Sequence, residues 1–126
     1  MTEGIAGLAG VLVWTEAARY AAMRDFYVDT LGLKPRSDRP KFVNFEWGEQ
    51  RLSISTHEGV TGANEDPLRQ MINLTVSDIQ ATAIALEARG VQFSRPPEQE
   101  PWGGWITTFE DPDGNTLQLL QTPPGA

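Results

Sequence analysis

The sequence predicts an α+β fold made of two β-α-β-β-β modules, and three observations predict it. Phe109-Glu110-Asp111-Pro112-Asp113-Gly114-Asn115-Thr116-Leu117-Gln118-Leu119-Leu120 reads as strand, tight turn, strand, and Phe45-Glu46-Trp47-Gly48-Glu49-Gln50-Arg51-Leu52-Ser53-Ile54-Ser55 has the same outline. Val11-Leu12-Val13-Trp14 and Met71-Ile72-Asn73-Leu74-Thr75-Val76 are short apolar runs, each followed by a helical pattern that stops at a glycine, Gly32 or Gly90. Beyond those glycines, Gly32-Leu33-Lys34-Pro35-Arg36 is matched by Gly90-Val91-Gln92-Phe93-Ser94-Arg95. One unit is therefore written twice, with a period of roughly half the chain.

Taken in order, residues 11–14 form the first strand and residues 16–31 the first helix, in which Met23, Phe26, Tyr27 and Leu31 share an apolar face. Thr15 is placed to cap its start, and Gly32 supplies the positive φ that ends it. Residues 36–40 read as a polar turn. Residues 42–47 and 51–56 form an antiparallel pair, and the Gly-, Asn- and acid-rich stretch from about 58 to 68 reads as the linker between module 1 (about 9–57) and module 2 (about 69–121).

In module 2, Ser77 or Asp78 caps a helix with Ile79, Ala83 and Leu86 on its inner face and Gly90 at its end. Residues 96–105, with three prolines, two glycines, Trp102 and Trp105, read as a loop. Pro112 pre-sets φ for the second position of the final turn, Asp113 tolerates the third, and Gly114 and Asn115 accept positive φ. Leu117 and Leu119 alternate with Gln118 as in a half-buried strand. Residues 122–126 read as a loose tail.

With 126 residues the chain is large enough for one shared core, burying roughly two thirds of its unfolded surface. It has no cysteine, which excludes disulfides, thiolate catalysis and Cys-ligated zinc. A net charge of -7 argues against a nucleic-acid partner, since such a partner demands a basic footprint; the acidity serves solubility or attraction of a cationic ligand. Residues 1–10 carry Glu3, three glycines and no basic residue, unlike a secretory signal, and no apolar run approaches the ~18 residues of a membrane helix. A cytoplasmic protein without a membrane partner is expected.

The doubled plan, Phe26-Tyr27 followed by Leu31-Gly32-Leu33, and Asp111-Pro112-Asp113-Gly114-Asn115 together resemble the vicinal oxygen chelate superfamily. It includes glyoxalase I, extradiol dioxygenases, fosfomycin-resistance enzymes and bleomycin-resistance binding proteins. The resemblance runs from about residue 9 to 121. It implies a cup-shaped mixed sheet with helices outside, often completed in a homodimer, and in the enzymes a divalent metal held by His or Glu from the first and last strands of each module. The positions corresponding to those ligands fall on Leu12, Met71, Gln118 and Ser53, with Ser55 as an alternative register.

Leu12 has no donor atom, Met71 offers a soft thioether, and Gln118 and Ser53 are neutral, whereas hard or borderline cations require carboxylate, carbonyl or imidazole donors. The one histidine, His57, falls at a strand-to-loop boundary. No metal and no cofactor are expected. Other catalytic readings are thin: a Ser-His-Asp set would have to recruit His57, Asp111 and Asp113 are explained by turn chemistry, and Gly103-Gly104 is too short to cradle a phosphate. Glu46 or Glu110, if buried, remains open as a cofactor-free general acid or base.

Strand parity assigns Leu12, Trp14, Ser53, Ser55, Met71, Asn73, Gln118, Thr116 and Leu120 to the cup interior, a mixture suited to an organic ligand. Val11, Val13, Leu52, Ile54, Ile72, Leu74, Val76, Leu117 and Leu119 make a uniformly apolar face for the helices. Trp14, Trp47, Trp102 and Trp105 either stack on a planar or cationic ligand or pack within the protein. Pro101-Trp102-Gly103-Gly104 ahead of Asp111-Pro112 is similar to the bleomycin-resistance branch, whose members are acidic, metal-free binders of cationic antibiotics. The expectation is metal-independent binding of a small, cationic or aromatic molecule, such as a drug or natural product. A glyoxalase-like lyase, isomerase or dioxygenase with unusual ligands, or none, is the alternative, and a scaffold with a vestigial cup is a third.

Overall fold

The computed structural model describes residues 4–125. Met1, Thr2 and Glu3, part of the segment read as lacking a secretory signal, and Ala126 at the end of the tail lie outside the described residues. The chain divides into two compact units between Gly62 and Ala63. Each holds a four-stranded mixed sheet, and both sheets have the same topology.

The first unit runs β1 (Gly10–Thr15), a helical stretch, β2 (Ser37–Arg39), β3 (Phe42–Trp47) and β4 (Gln50–Thr56), with sheet order β1-β4-β3-β2. β1 lies parallel to β4 and the other pairs are antiparallel. The helical stretch changes character along its length: a 3₁₀ turn (Ala17–Arg19), α1 (Tyr20–Asp25) and a π-helical turn (Phe26–Thr30). The widened last turn is closed by Leu31 N–H donating to Phe26 C=O at 2.8 Å and Leu33 N–H to Tyr27 C=O at 3.1 Å. Gly32 follows with φ 74°, as its place after the helix demands. Thr15 does not cap it. It is the last residue of β1, and Glu16 stands at the N-terminal boundary with no side-chain bond to the helix.

Met23 and Tyr27 from this stretch pack with Val43, Phe45, Leu52 and Ile54 to form the buried core of the unit. The Tyr27 and Phe45 rings stack with centroids 6.3 Å apart. Residues 36–40 are not simply a turn. Ser37–Arg39 pair with β3 as a short edge strand, which no apolar alternation announces. Pro40 and Lys41 make the two-residue connection, with Lys41 at φ 65°.

The second unit runs β5 (Met71–Thr75), α2 (Ile79–Ala88), β6 (Phe93–Gln99), β7 (Trp105–Glu110) and β8 (Thr116–Gln121), with sheet order β5-β8-β7-β6. Asp78 caps α2, its carboxylate accepting from Ala81 N–H at 3.1 Å. The helix ends in a Schellman motif: Gly90 (φ 97°) donates to Glu87 C=O and Val91 to Leu86 C=O. Ile79, Ala83 and Leu86 are buried with Val91, Phe109, Leu117 and Leu119.

The segment from 96 to 99, read as loop, belongs to β6. It tolerates Pro96 and Pro97 because β6 is an edge strand, and its pairing with β7 is irregular on both sides of Arg95. In the final turn Gly114 has φ 81°, whereas Asn115 does not take positive φ. The turn is organised instead by the Asp111 carboxylate. Its Oδ1 accepts from the backbone N–H groups of Asp113 and Asn115, and its Oδ2 from the Asn115 side-chain amide, each at 2.9 Å.

Candidate functional site

Every strand in these sheets has one side turned to a helix and one side free of it. In the first unit, Val43 pairs with Ile54 and Phe45 with Leu52, all four buried on the helix side. On the opposite side the parallel ladder sets Leu12 beside Ser53 and Trp14 beside Ser55, and Phe42 and Asn44 complete the rows from β3. Leu12 is 45% and Trp14 43% exposed, a large apolar surface for two strand residues with no helix over them. Ser55 Oγ donates to Lys41 C=O at 3.0 Å, and Asn44 Oδ1 accepts from Ser37 N–H at 3.0 Å.

His57, placed by the sequence at a strand-to-loop boundary, is exposed but oriented. Its Nδ1 accepts the Gly59 N–H at 2.9 Å, and its ring meets Trp14 edge-on with centroids 5.0 Å apart. Phe42 thus joins this face without having been singled out in the sequence, and His57 joins it although the sequence placed it only at a strand-to-loop boundary. For Phe42 the alternation Phe42, Asn44, Glu46 carries the signal. For His57 no local pattern does, because the contact depends on where the β4 end turns.

In the second unit, Phe109 pairs with Leu117 and Thr107 with Leu119 on the helix side. Gln121 shares that side, and its Oε1 accepts Ile79 N–H at 2.7 Å at the start of α2. The helix-free side carries Met71 beside Thr116 and Asn73 beside Gln118, with Thr108 next to Gln118 on β7. Gln118 Nε2 donates to Asn73 Oδ1 at 2.7 Å. Met71 is 43% exposed.

The structure therefore collects Leu12, Trp14, Ser53 and Ser55 on one helix-free face and Met71, Asn73 and Gln118 on another. It does not place the other three indoles there. Trp47 shares the parity of Val43 and Phe45, and Trp105 opens β7 on the side of Thr107 and Phe109. Trp102 sits in the turn between β6 and β7 with its indole lying over Gly104, where an added Cβ would fall about 2 Å from the ring.

The donor chemistry at the positions expected for metal ligands, and at their neighbours along the ladders, does not fit a divalent cation. Ser53, Ser55, Asn73 and Gln118 offer neutral oxygens, Met71 a thioether and Leu12 nothing. Among the described residues no three His, Cys, Asp or Glu side chains converge. Neither carboxyl weighed as a general acid or base is enclosed. Glu46 is exposed and held by Arg51 at 2.8 Å and Arg36 at 3.1 Å, and Glu110 is exposed on the strand before the turn. Among the described residues no helix is long and apolar enough to cross a membrane.

The sequence pattern of the Glyoxalase/Bleomycin resistance protein/Dioxygenase superfamily matches residues 17–119. The uncharacterized protein YetH of Bacillus subtilis (strain 168) is 26% identical over 118 residues, covering 88% of this chain and 94% of YetH. A member of the same superfamily from Sphaerobacter thermophilus DSM 20745 superimposes with a TM-score of 0.71 at 29% identity, over 94% of this chain and 98% of its own. The lactoylglutathione lyase of Agrobacterium tumefaciens gives a TM-score of 0.71 over 94% of this chain and 96% of its own. At 17% identity that likeness shows a shared fold alone.

Proposed function

Since the chain belongs to the Glyoxalase/Bleomycin resistance protein/Dioxygenase superfamily, we propose that it binds a small organic molecule without a divalent metal, in the manner of a protein that sequesters a drug or natural product. The observation that carries this reading is the side-chain inventory of the helix-free faces. An indole, a leucine and two serines lie on one, a methionine and two amides on the other, and no charged oxygen or imidazole stands at the positions where the family's enzymes hold metal. Such surfaces hold a ligand by shape, apolar contact and a few hydrogen bonds. The net charge of -7 favours a cationic ligand by long-range attraction, and the Trp14 indole favours an aromatic one by stacking.

A homodimer in the cytoplasm belongs to the same reading. The support for pairing is the run of exposed apolar side chains on and before edge strand β1, namely Ile5, Leu8 and Val11, which a second copy would cover. Light scattering at twice the monomer mass is the expected result.

The binding test is titration of tryptophan fluorescence with cationic aromatic compounds, with and without EDTA. Saturable quenching that EDTA leaves unchanged is expected. Stoichiometric zinc, iron, nickel or manganese in protein purified without chelator, with binding or turnover lost on its removal, would overturn the metal-independent reading in favour of a lyase or dioxygenase.

A further inference from the structure

Asn73 and Gln118 are neighbours across the parallel β5–β8 ladder, 45 residues apart in sequence, and their amides are hydrogen-bonded at 2.7 Å. We infer that this amide pair is a recognition edge for a neutral ligand group presenting a donor and an acceptor side by side, as a lactam, carboxamide, urea or imide does. The inference rests on the binding reading above and narrows the chemistry of what is bound on the second unit.

A primary amide has one carbonyl oxygen and two N–H donors. With one Gln118 N–H given to Asn73 Oδ1, the Gln118 carbonyl, the second Gln118 N–H and the Asn73 NH2 remain, so the pair keeps both acceptor and donor capacity on adjacent strands. No described residue engages any of these. Reversing the direction of the internal bond leaves the same complement with the residues exchanged. The bond also fixes both side chains before any ligand arrives, which reduces the rotamer entropy lost on binding.

The surroundings match a neutral polar edge on an apolar body. Thr108, directly across from Gln118 on β7, adds a hydroxyl on the same side. The row on one side of the amides is Thr75, Leu120 and Ile106; the row on the other is Met71, Thr116 and Glu110. Leu120 and Met71 thus flank the polar row with apolar surface, and Ile106 is buried beside Leu120. A carboxylate laid on the amides would satisfy the NH2 and face a carbonyl oxygen, and an ammonium would do the reverse. A lactam or amide satisfies both, and leaving one partner unmatched is costly once water is displaced. The same complementarity lets a single Asn or Gln read the adjacent donor and acceptor of an adenine edge.

The probe is 2-pyridone, a planar lactam, against N-methyl-2-pyridone, which lacks the donor. In 15N-labelled protein the side-chain NH2 resonances of Asn73 and Gln118 are expected to shift saturably with 2-pyridone, with the N-methyl compound at least about tenfold weaker, the equivalent of about 1.4 kcal/mol. Gln118→Glu, which replaces an amide by an acceptor-only carboxylate, and Asn73→Ser, chosen in case the first variant misfolds, are each expected to weaken 2-pyridone by a similar factor while the backbone spectrum stays dispersed. Equal binding of the two probes, or unmoved Asn73 and Gln118 signals while the Trp14 indole signal responds, would overturn the amide-edge inference and leave the binding reading standing. No response anywhere to either probe or to cationic aromatics would overturn both.

Discussion

Gly104→Ala tests how the Trp102 indole is held, and with it what that indole is free to do. Trp102 is 56% exposed, and the covered part of its ring lies on Gly104. A methyl there would fall 1.9 Å from Cζ3 and 2.0 Å from Cη2, so the indole must leave. With about 150–250 Å² for a whole aromatic side chain, the covered part is on the order of 100 Å², or about 2.5 kcal/mol at 25 cal/mol per Å² as an upper bound. The turn recovers some contact after the ring moves, so the expected loss is about 1–2 kcal/mol.

Gly103→Ala is the control. Its φ of 97° makes an alanine strained by about 1–2 kcal/mol, but the added methyl would meet only Pro123, at 3.4 Å, and not the indole. Urea unfolding followed by tryptophan emission separates the two: both variants lose stability, but only Gly104→Ala red-shifts native emission. In the cycle with Trp102→Ala, the Gly104→Ala penalty is expected to shrink to about 0.5 kcal/mol or less, because neighbours that share a contact do not add. Unchanged emission, or additive penalties, would refute the stacking argument. A ligand titration unaltered in Gly104→Ala would further remove Trp102 from the binding residues.

Asp111→Ala strands the N–H groups of Asp113 and Asn115 in a turn where Asp111 is 5% and Asp113 3% exposed. Its expected cost is about 3–5 kcal/mol, against about 1–2 for Asp111→Asn, which keeps an oxygen acceptor; comparable midpoints for the two in urea would refute the carboxylate's organising role. Asp78→Ala removes the α2 cap and is expected to cost about 1 kcal/mol with no change in emission, readable as a lower melting temperature. The Asp38 carboxyl is held below the usual carboxylate range, chiefly by its 2.6 Å hydrogen bond from the Arg24 guanidinium. A folded-state value below the unfolded one stabilises the protein above the ordinary carboxylate range and is lost as pH falls through the folded value. Asp38→Asn is therefore expected to flatten the acid limb of stability, with the difference shrinking at high salt because the pair is partly exposed; parallel wild-type and variant pH profiles would contradict this.

What the sequence made legible was whatever is set locally. The helix stops at Gly32 and Gly90, the Asp78 cap and the inner face Ile79, Ala83, Leu86 depend on residues within a turn or two, and the structure has them all. Parity within each strand was equally legible, since successive side chains alternate by geometry alone. It correctly grouped Leu52 with Ile54 and Leu117 with Leu119 under the helices. The short strand Ser37–Arg39 was hidden because three polar edge residues need no apolar pattern, and β6 because its prolines are tolerated only on an edge, which a sequence does not reveal. Trp47 and Trp105 were grouped with Trp14 by residue type, whereas the pairings Trp47–Gln50 and Trp105–Gln121 put both on the helix sides.

The register of the parallel strands matters most for function and is least local. A hairpin fixes its own register through its turn, as Gly48 with φ 60° does between Trp47 and Gln50. β5 and β8 are joined by a whole crossover, so nothing near Met71 or Gln118 says which residue faces which. Counting back from the helix cap selects Met71, and the ladder sets Met71 against Thr116 and Asn73 against Gln118. In the first module the same ladder sets Leu12 against Ser53. A two-residue displacement preserves parity, so both placements put the same residues on the helix-free face, but the chemistry differs. Met71 beside Gln118 would be a thioether next to a lone amide, whereas Asn73 beside Gln118 is a hydrogen-bonded amide pair that keeps both donor and acceptor capacity. On the amide-edge proposal, the group recognised depends on a long-range alignment rather than on a motif, and Asn73→Ser perturbs that pairing without disturbing the local signals from which the fold was read.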